Sequence, residues 1–323
     1  METKTNSLEI IRHAEISGLT MFFNTLDYRT PHLHPEWEVL WVLDQPLTLR
    51  SVQKTYRAEA GEMILINPFQ PHEICKVERS CTFLCLQILP ELFASGYPQI
   101  DHLSADDPYL SAHFSRNQQR EIQKALMDMM RSYLDQQPGY ELFCIGQGAL
   151  LLRTLFQGVP CHLLTSEEID ARDRRNARLS RLLRFVDENY GHKIRLADFA
   201  KQEGLTLSYA SAFVKTAMNQ NFQEYVNTVR FNAACQQIAA GSRRMQDVCM
   251  EAGFSDYRYF SNTFRQRTGM TPEQYCENPP AVLDAQQTHH SLHSLERFYS
   301  RQRSRELLEN YRNSTISENR KLV

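Results

Sequence analysis

The feature that most constrains the fold of this chain is an internal repeat in its C-terminal half. The first copy runs from Ile194 to Val226 and the second from Met245 to Cys276. In each copy a small residue stands four positions before a glycine; the pairs are Ala200 with Gly204 and Cys249 with Gly253. Glycine suits the left-handed conformation that ends a helix, and the small residue lets the next helix cross closely. The repeat therefore predicts two helix-turn-helix units.

A recognition helix is predicted to follow each of these turns. Thr206 and Ser255 are the N-cap candidates, since their hydroxyls can accept hydrogen bonds from free backbone N–H groups. Helical spacing gives each helix a buried face, formed by Tyr209, Ala210, Phe213 and Val214 in the first copy and by Tyr259, Phe260 and Phe264 in the second. Asn219 and Gly269 are expected to end the two helices, because both residue types tolerate positive φ. Phe222, Tyr225, Val226, Val229 and Ala233 keep helical spacing between the copies, so one stiff helix should join the units.

The second copy carries a string of residues with a strong family resemblance. The string AGFSDYRYFSNTFRQRTGMTPEQY begins at Ala252 and resembles the signature of the AraC/XylS family of transcription regulators. The matching positions are Gly253, Phe254, Tyr259, Phe260, Phe264, Gly269, Pro272 and Tyr275. The stretch from Leu196 to Ala234 is similar to the first unit of that family. The resemblance implies that one monomer places both recognition helices in successive major grooves, about 34 Å apart.

Eight residues of the two recognition helices are expected to face DNA. They are Ser208, Ser211, Ala212 and Lys215 in the first helix, and Tyr257, Arg258, Asn262 and Arg265 in the second. Arg258 and Asn262 can bind guanine or adenine edges, whereas Lys215 and Arg265 suit phosphate contacts. Ala212 stands where the family commonly has a long basic residue. The first helix is therefore expected to read less sequence than the second.

The charge of the chain is divided unevenly along its length. Residues 172–280 carry 16 lysines and arginines against 11 acidic residues, a net charge of +5, whereas residues 1–171 carry 13 against 22, a net charge of −9. A basic segment on an acidic chain suits a phosphate-binding module. Charge varies by this much along any chain and alone decides little. The helix-turn-helix pattern and the family resemblance make double-stranded promoter DNA the expected partner, and the resemblance adds RNA polymerase.

The N-terminal part shows a different periodicity. Residues 18–87 consist of short alternating or apolar runs separated by turn residues such as Pro46 and Gly61, which predicts an antiparallel β-barrel. After Pro90 the apolar residues recur at helical spacing. Two helices joined at Pro138-Gly139 are expected there, and such a pair commonly forms a homodimer interface.

Polar residues in the barrel segment resemble the two cupin motifs. His32, His34 and Glu38 share strand parity and should point to one face, and His72 can join them from a neighbouring strand. Three imidazoles and a carboxylate can bind Zn²⁺, Fe²⁺ or Mn²⁺. Since Pro35 interrupts the strand, the preferred interpretation is a metal-free pocket in which these four residues and Trp37 bind a small-molecule effector, and the metal site is the alternative.

The sequence thus predicts an α+β multidomain protein with a cupin-like β-barrel, following helices, and an all-α double helix-turn-helix domain. The expected divisions are a cupin-like effector-binding and dimerisation domain at 1–157, a charged linker at 158–177, the DNA-binding domain at 178–279, and a polar, mostly solvated and partly helical or disordered tail at 280–323. In that tail, His289, His290 and His293 are taken as a chance cluster.

Two further features bear on the compartment. The eight cysteines form no CxxC pair and are expected to be reduced, buried thiols of a cytoplasmic protein. No apolar run reaches the roughly 18 residues that a membrane span needs, and the N-terminus lacks the pattern of a signal peptide.

The expected function is a sequence-specific transcription regulator controlled by a small-molecule effector. The resemblance implies a carbohydrate, but the sequence does not distinguish an activator from a repressor. The alternative is a metal-dependent cupin enzyme with an accessory helical domain, which depends on four barrel residues alone. No nucleophile–base pair or phosphate loop appears elsewhere, so no catalytic residue and no other cofactor is expected. An adaptor protein that uses the tail is a third hypothesis.

Overall fold

An N-terminal sheet domain and a C-terminal helical domain make up the molecule. The computed structural model describes residues 16–51, 54–75, 80–218, 220–239, 241, 244–277, 288–290 and 294–320. The strands are β1 Leu19–His32, β2 Trp37–Val42, β3 Leu47–Ser51, β4 Lys54–Ala58, β5 Met63–Ile66, β6 His72–Ile74, β7 Cys81–Ile88, β8 Leu103–Ala105, β9 Cys161–Leu163, β10 Thr288–His290 and β11 Ser294–Phe298. The helices are α1 Arg116–Asp135, α2 Tyr140–Gly158, α3 Ser166–Asn189, α4 Leu196–Gln202, α5 Leu207–Met218, α6 Phe222–Ala239, α7 Met245–Glu251, α8 Tyr257–Thr268, α9 Pro272–Glu277 and α10 Arg301–Arg320.

Nine of these strands form one antiparallel, nearly closed sheet, as the alternating pattern predicts. Its order is β4-β3-β6-β1-β7-β2-β5, with β11 pairing β1 and β10 pairing β11. Strand β2 shows how the two faces differ. Trp37 and Trp41 lie on the outer face with α1 and α2 in one buried core, whereas Leu40 and Val42 fill the interior. Because side chains alternate, Glu38 also faces inward.

The predicted linker at 158–177 is largely helical. Thr165 caps α3 and forms a capping box with Glu168, so the helix begins inside the charged run. It continues to Asn189, and Leu179 and Val186 on its inner side are buried in the first helix-turn-helix core. The expected boundary at residue 177 therefore falls within a continuous helix, which joins the sheet domain to the DNA-binding domain without a flexible break.

Helix α6 links the two helix-turn-helix units, as predicted. Tyr225 and Val229 are buried in the core of the first unit, and Phe231 and Ile238 are buried in the core of the second. Its two ends thus belong to different cores. Since a single helix resists bending, the two units are held at a fixed relative position.

The C-terminal tail is partly helical, as predicted, but its described residues also pack on the sheet domain, which the expectation of a mostly solvated segment did not include. Residues Ser294–Phe298 pair antiparallel with β1, with Asn24 opposite Phe298 and Arg29 opposite Ser294. Helix α10 then packs on α1 and buries Leu308. The tail folds onto the sheet because β1 offers an open edge and α10 carries an apolar stripe.

No helix within the described residues combines the length and apolarity needed to span a membrane. The cysteines are all free thiols.

Candidate functional site

The turns of both helix-turn-helix units have the geometry that their glycines predict. Gly204, Gly253 and Gly269 have φ values of +65°, +84° and +76°. Thr206 Oγ1 accepts a hydrogen bond from the Tyr209 N–H at 3.2 Å and so caps α5 as expected. The cap of α8 is Asp256 rather than Ser255, because its carboxylate accepts from the Tyr259 N–H at 2.7 Å. The predicted turn at Asn219 lies outside the described residues.

Most of the residues predicted to face DNA are exposed. Their positions are Ser208, Ser211, Ala212 and Lys215 on α5, and Arg258, Asn262 and Arg265 on α8. Tyr257, the eighth, is half-buried. Its hydroxyl donates to the Glu273 carboxylate on α9 and its ring packs against Phe260 with the centroids 5.6 Å apart. Tyr257 therefore ties α8 to α9.

Two tyrosines that the helical spacing assigned to the core are instead about half exposed. Tyr209 is 51% exposed and Tyr259 is 49% exposed. The hydroxyl of Tyr209 accepts from Arg178 at 3.1 Å, and that of Tyr259 accepts from Asn227 at 2.6 Å. The prediction of burial was wrong because a tyrosine at the boundary of a helix face can keep its hydroxyl in a polar contact. Both rings extend the surface beside the recognition positions.

The two units also meet through the end of α3. Arg230 of α6 donates to Tyr190 O and His192 O, both at 2.8 Å. Gly253 packs against the same segment, which follows α3, and an added Cβ would overlap Tyr190 O. One glycine thus supplies the positive φ of the second turn and the close approach to α3. This contact was not predicted, because the sequence does not show that the end of α3 lies beside the turn at Gly253.

Some arginines near this surface are already paired. Arg181 donates to both carboxylate oxygens of Glu203, at 2.6 and 2.8 Å. This bidentate contact, together with Arg178, holds the pKa of Glu203 below its usual value even though burial raises it. Arg181 therefore connects α3 to the end of α4. Arg258 and Arg265, in contrast, are exposed to solvent.

The structure brings the predicted histidines together at one end of the sheet domain. Ligand atoms of His32, His34 and His72 all lie within 4.8 Å of one another. Glu38 Oε2 is 3.4 Å from both His34 Nε2 and His72 Nε2. His34 does not share a strand with Glu38, because β1 ends at His32 and β2 begins at Trp37. The connecting loop rather than strand parity carries His34 into the cluster.

The backbone orients two of these rings. Thr30 O lies 2.9 Å from His32 Nδ1, and Gln70 O lies 2.9 Å from His72 Nδ1. A carbonyl can only accept, so each of these Nδ1 atoms carries a proton. Nε2 of His72 faces Glu38. Burial lowers the pKa of His32 well below its usual value, so this ring is neutral. With Glu38, the set suits a divalent cation in its donor types.

Other buried polar residues complete the cluster. Gln87, the register partner of Glu38 on β7, donates to Glu38 Oε1 at 2.8 Å, and Glu36 Oε2 lies 3.3 Å from His34 Nδ1. Burial raises the pKa of Glu38, but the contacts with His34 and His72 prevail and hold it well below its usual value. Glu38 is therefore a carboxylate. Gln87 was missed, although a glutamine in an apolar strand was the available signal.

Trp37, predicted to contact the effector, does not join this cluster. It is 1% exposed and packs against Phe156 of α2, with the ring centroids 5.0 Å apart. Its side chain faces away from Glu38 because neighbouring residues on a strand point to opposite faces. The cavity beside His72 measures about 10 Å³. A larger cleft of about 530 Å³ lies elsewhere, between residues 67–70 and α3.

Two family models match this chain. The AraC-like ligand binding domain matches residues 20–152, and the helix-turn-helix domain matches residues 199–278. Together they cover more than half of the chain and define a DNA-binding transcription regulator with an N-terminal ligand-binding domain. The chain belongs to the AraC family of transcription regulators.

Curated relatives are regulators of the same kind. The chain is 25% identical over 260 residues to the uncharacterized HTH-type transcriptional regulator YdeC of Bacillus subtilis, covering 78% of this chain and 87% of the relative. It is 25% identical over 285 residues to the virulence regulon transcriptional activator VirF of Yersinia enterocolitica, covering 83% and 96%. The crystal structure of ToxT from Vibrio cholerae O395 aligns with a TM-score of 0.38 at 12% identity, covering 82% of this chain and all of ToxT.

Proposed function

We propose that the protein binds a bipartite promoter site through the exposed faces of α5 and α8, under the control of an effector bound to its N-terminal domain. The observation that carries this proposal is the continuity of α6, whose ends are buried in both helix-turn-helix cores. A rigid connector fixes the separation of the recognition helices, so both can enter grooves on one face of the duplex.

We assign base contacts and phosphate contacts to residues of α5 and α8 by their side-chain chemistry. Arg258 and Asn262 are exposed on α8 and can make bidentate hydrogen bonds to base edges. Lys215 and Arg265 contact phosphates, and Ser208, Ser211 and Ala212 add weak contacts. Because α5 presents small side chains at these positions, most base discrimination belongs to α8.

The test is DNA binding by Arg258→Ala combined with Asn262→Ala. Sites selected from random DNA by the wild-type protein are titrated by fluorescence anisotropy. We expect the specific affinity to fall about 100-fold or more, since each bidentate contact contributes about 1–3 kcal/mol of discrimination. Arg116→Ala with Asn117→Ala is the matched control, because these residues are exposed on α1. An unchanged preference of the α8 variant for its selected site would refute the proposal.

A homodimer through α2 is part of the proposal. Leu142 is 77% exposed and Leu150 is 56% exposed, and with Phe143 they form one apolar face of α2. Replacing both leucines by glutamate should convert the dimer to a monomer in size-exclusion chromatography with light scattering. Leu163→Glu is the control, since this leucine is 46% exposed on β9. A monomeric wild-type protein would refute this part.

The nature of the effector is also a proposal. Family resemblance favours a carbohydrate, and the melibiose operon regulatory protein of Escherichia coli is 28% identical over 97 residues, which cover 30% of this chain and 32% of that protein. A ligand changes DNA occupancy only if it binds two arrangements of the domains unequally. We place the protein in the cytoplasm with promoter DNA and RNA polymerase as partners. A catalytic role is disfavoured because the cavity beside His72 measures about 10 Å³, which leaves no room for a substrate.

The histidine cluster is proposed to act as a polar core that stabilises the N-terminal domain, with no resident cofactor. A divalent cation is the second candidate, favoured by the three clustered imidazoles. Elemental analysis of the purified protein distinguishes the two. Stoichiometric zinc, iron or manganese that disappears in His34→Ala but persists in His162→Ala would establish a metal centre. His162 suits the control because it lies on β9 and pairs with Asp106.

A further inference from the structure

A cleft of about 530 Å³ lies between the sheet domain and α3. Its size is within the range of small-molecule sites. One wall is the loop of residues 67–70, which precedes His72, and the other wall is the first half of α3. Its apolar lining residues are Pro68, Phe69, Leu103, Leu164 and Ala171. The cleft is therefore placed where a ligand would contact both the sensor domain and the helix that enters the DNA-binding domain.

Two arginines of α3, Arg172 and Arg175, line this cleft. Arg175 is partly buried, and its Nε is shielded from solvent without a hydrogen-bond partner among the described residues. No described carboxylate forms an ion pair with it. Burial, followed by the nearby charge of Arg172, lowers the pKa of Arg175. A partly buried guanidinium with no counter-ion is costly, and a bound anion would remove that cost.

The neighbouring groups suit an anion as well. Arg172 lies over the ring of Phe69, 5.2 Å from its centroid, and donates to Asp173 at 3.0 Å. Ser104 also lines the cleft, and its hydroxyl is a possible donor to a ligand. Glu168 is the acidic residue in the lining, and its carboxylate accepts from Thr165 N at 2.8 Å and Thr165 Oγ1 at 3.0 Å. These contacts direct the Glu168 carboxylate toward the start of α3, and among the described residues it forms no ion pair with Arg175.

We propose that this cleft binds a small organic anion whose carboxylate or phosphate group is held by Arg175. Arg172 and Ser104 supply further donors, and the apolar part of the ligand rests on Phe69 and Leu103. The inference rests on the proposed function, since the anion would be the effector. It gives that effector a chemical class, to which an acidic or phosphorylated carbohydrate also belongs, and a location outside the histidine cluster.

The location also explains how occupancy reaches the DNA-binding domain. The Phe69 N–H donates to His34 O at 2.7 Å, and Phe69 O accepts from the side chain of Asn176 at 2.9 Å. A ligand that contacts both Phe69 and Arg175 therefore bridges the sheet domain and α3, which the hydrogen bond between Asn176 and Phe69 already connects. It therefore favours one arrangement of the sheet domain and α3 over others.

The experiment titrates the full-length protein with benzoate and with phenyl phosphate, using benzyl alcohol as the neutral counterpart, by isothermal calorimetry. Wild-type protein is compared with Arg175→Gln, Arg175→Lys and the control Arg174→Gln, whose arginine is exposed on the same helix. We expect at least one anion to bind the wild type and Arg174→Gln equally, and Arg175→Gln at least 10-fold more weakly. Arg175→Lys should be intermediate, because lysine keeps the charge but loses the forked geometry.

The pattern across the ligands identifies the group that is recognised. Tighter binding of phenyl phosphate favours a phosphate ester as the effector, and tighter binding of benzoate favours a carboxylate. Without ligand, Arg175→Gln should melt at or above the wild-type temperature, which shows that it folds. Equal binding to Arg175→Gln and wild type, binding of benzyl alcohol as tight as that of the anions, or no binding of either anion would overturn the inference. Failure of the proposed function is separate, because it appears as a wild-type protein without sequence-specific DNA binding.

Discussion

Asn176 on α3 donates its side-chain amide to the main-chain oxygen of Phe69, 2.9 Å away in the sheet domain. Phe69 has a φ of +57°, which is uncommon for a residue with a bulky side chain. Its N–H donates to His34 O at 2.7 Å. A single strained residue therefore connects the histidine cluster to the helix that enters the DNA-binding domain.

Replacing Asn176 by alanine should weaken the contact between the domains. Asn176 is 6% exposed, so the substitution leaves Phe69 O without its buried donor, at a cost of about 1–3 kcal/mol. Asn189→Ala is the control, because Asn189 donates to Phe185 O within the same helix at 2.8 Å. Urea unfolding followed by circular dichroism measures both free energies. An Asn176→Ala variant as stable as the wild type would show that this bond does not hold the domains together.

The glycines of the second unit should differ sharply in their tolerance of alanine. At Gly253 a Cβ meets the main-chain oxygen of Tyr190 in addition to the positive φ, so Gly253→Ala should cost more than about 3 kcal/mol. At Gly269 the space is open, and Gly269→Ala should cost about 1–2 kcal/mol, from the backbone alone. Thermal unfolding compares them. Equal losses of stability in the two variants would mean that the segment around Tyr190 adjusts to the extra methyl group at position 253.

These glycines illustrate what the sequence could predict. A positive φ is a property of one residue, so the turns at Gly204, Gly253 and Gly269 follow from the pattern alone. The cap of α8 does not, because Ser255 and Asp256 are adjacent and both can cap a helix. Only the packing of the turn selects between them. The same limit explains Tyr209 and Tyr259, which lie at the edge of a helix face.

Contacts between distant segments were the least predictable. The histidines could be grouped because motif order brought them to one domain, but Gln87 belongs to the cluster through strand register. Arg175 was hidden in a charged run that had the composition of a linker. The capping box of Thr165 and Glu168 was the available signal that this run is helical. The sequence of residues 294–298 does not indicate that this strand pairs with β1, since a strand is stabilised by whichever sheet edge it meets.

Phosphate contacts and base contacts should separate in the salt dependence of DNA binding. Lys215→Ala and Arg265→Ala should each reduce the slope of log K against log salt by about 1 and weaken binding to all sequences alike. The reason is that each removes one released counter-ion without altering base recognition. Arg116→Ala on α1 should leave the slope unchanged. If Lys215→Ala changes sequence preference instead, α5 reads bases at that position.

The C-terminal tail makes specific contacts with the sheet domain. Glu296 on β11 accepts a hydrogen bond from Asn24 at 2.7 Å and pairs with Arg29 at 3.4 Å. On α10, Arg305 donates to Leu134 O at 2.7 Å. The ring of Tyr311 packs against Trp41 with the centroids 5.1 Å apart. Both ends of the DNA-binding domain are thus attached to the same sheet.

Removal of residues 288–323 should therefore destabilise the N-terminal domain rather than only shorten the chain. The deletion exposes the edge of β1, removes Leu308 and uncovers Trp41, which packs against Tyr311. The expected loss is at least about 3 kcal/mol, with a tendency to aggregate through the open edge. A chain that ends after Tyr311 is the matched control, because it keeps β11, Leu308 and Tyr311, and it should remain within about 1 kcal/mol of the full chain. Thermal unfolding and light scattering compare the two truncations. If both are as stable as the full chain, the tail contacts contribute little, and the DNA-binding domain is held to the sheet by α3 and the domain interface alone.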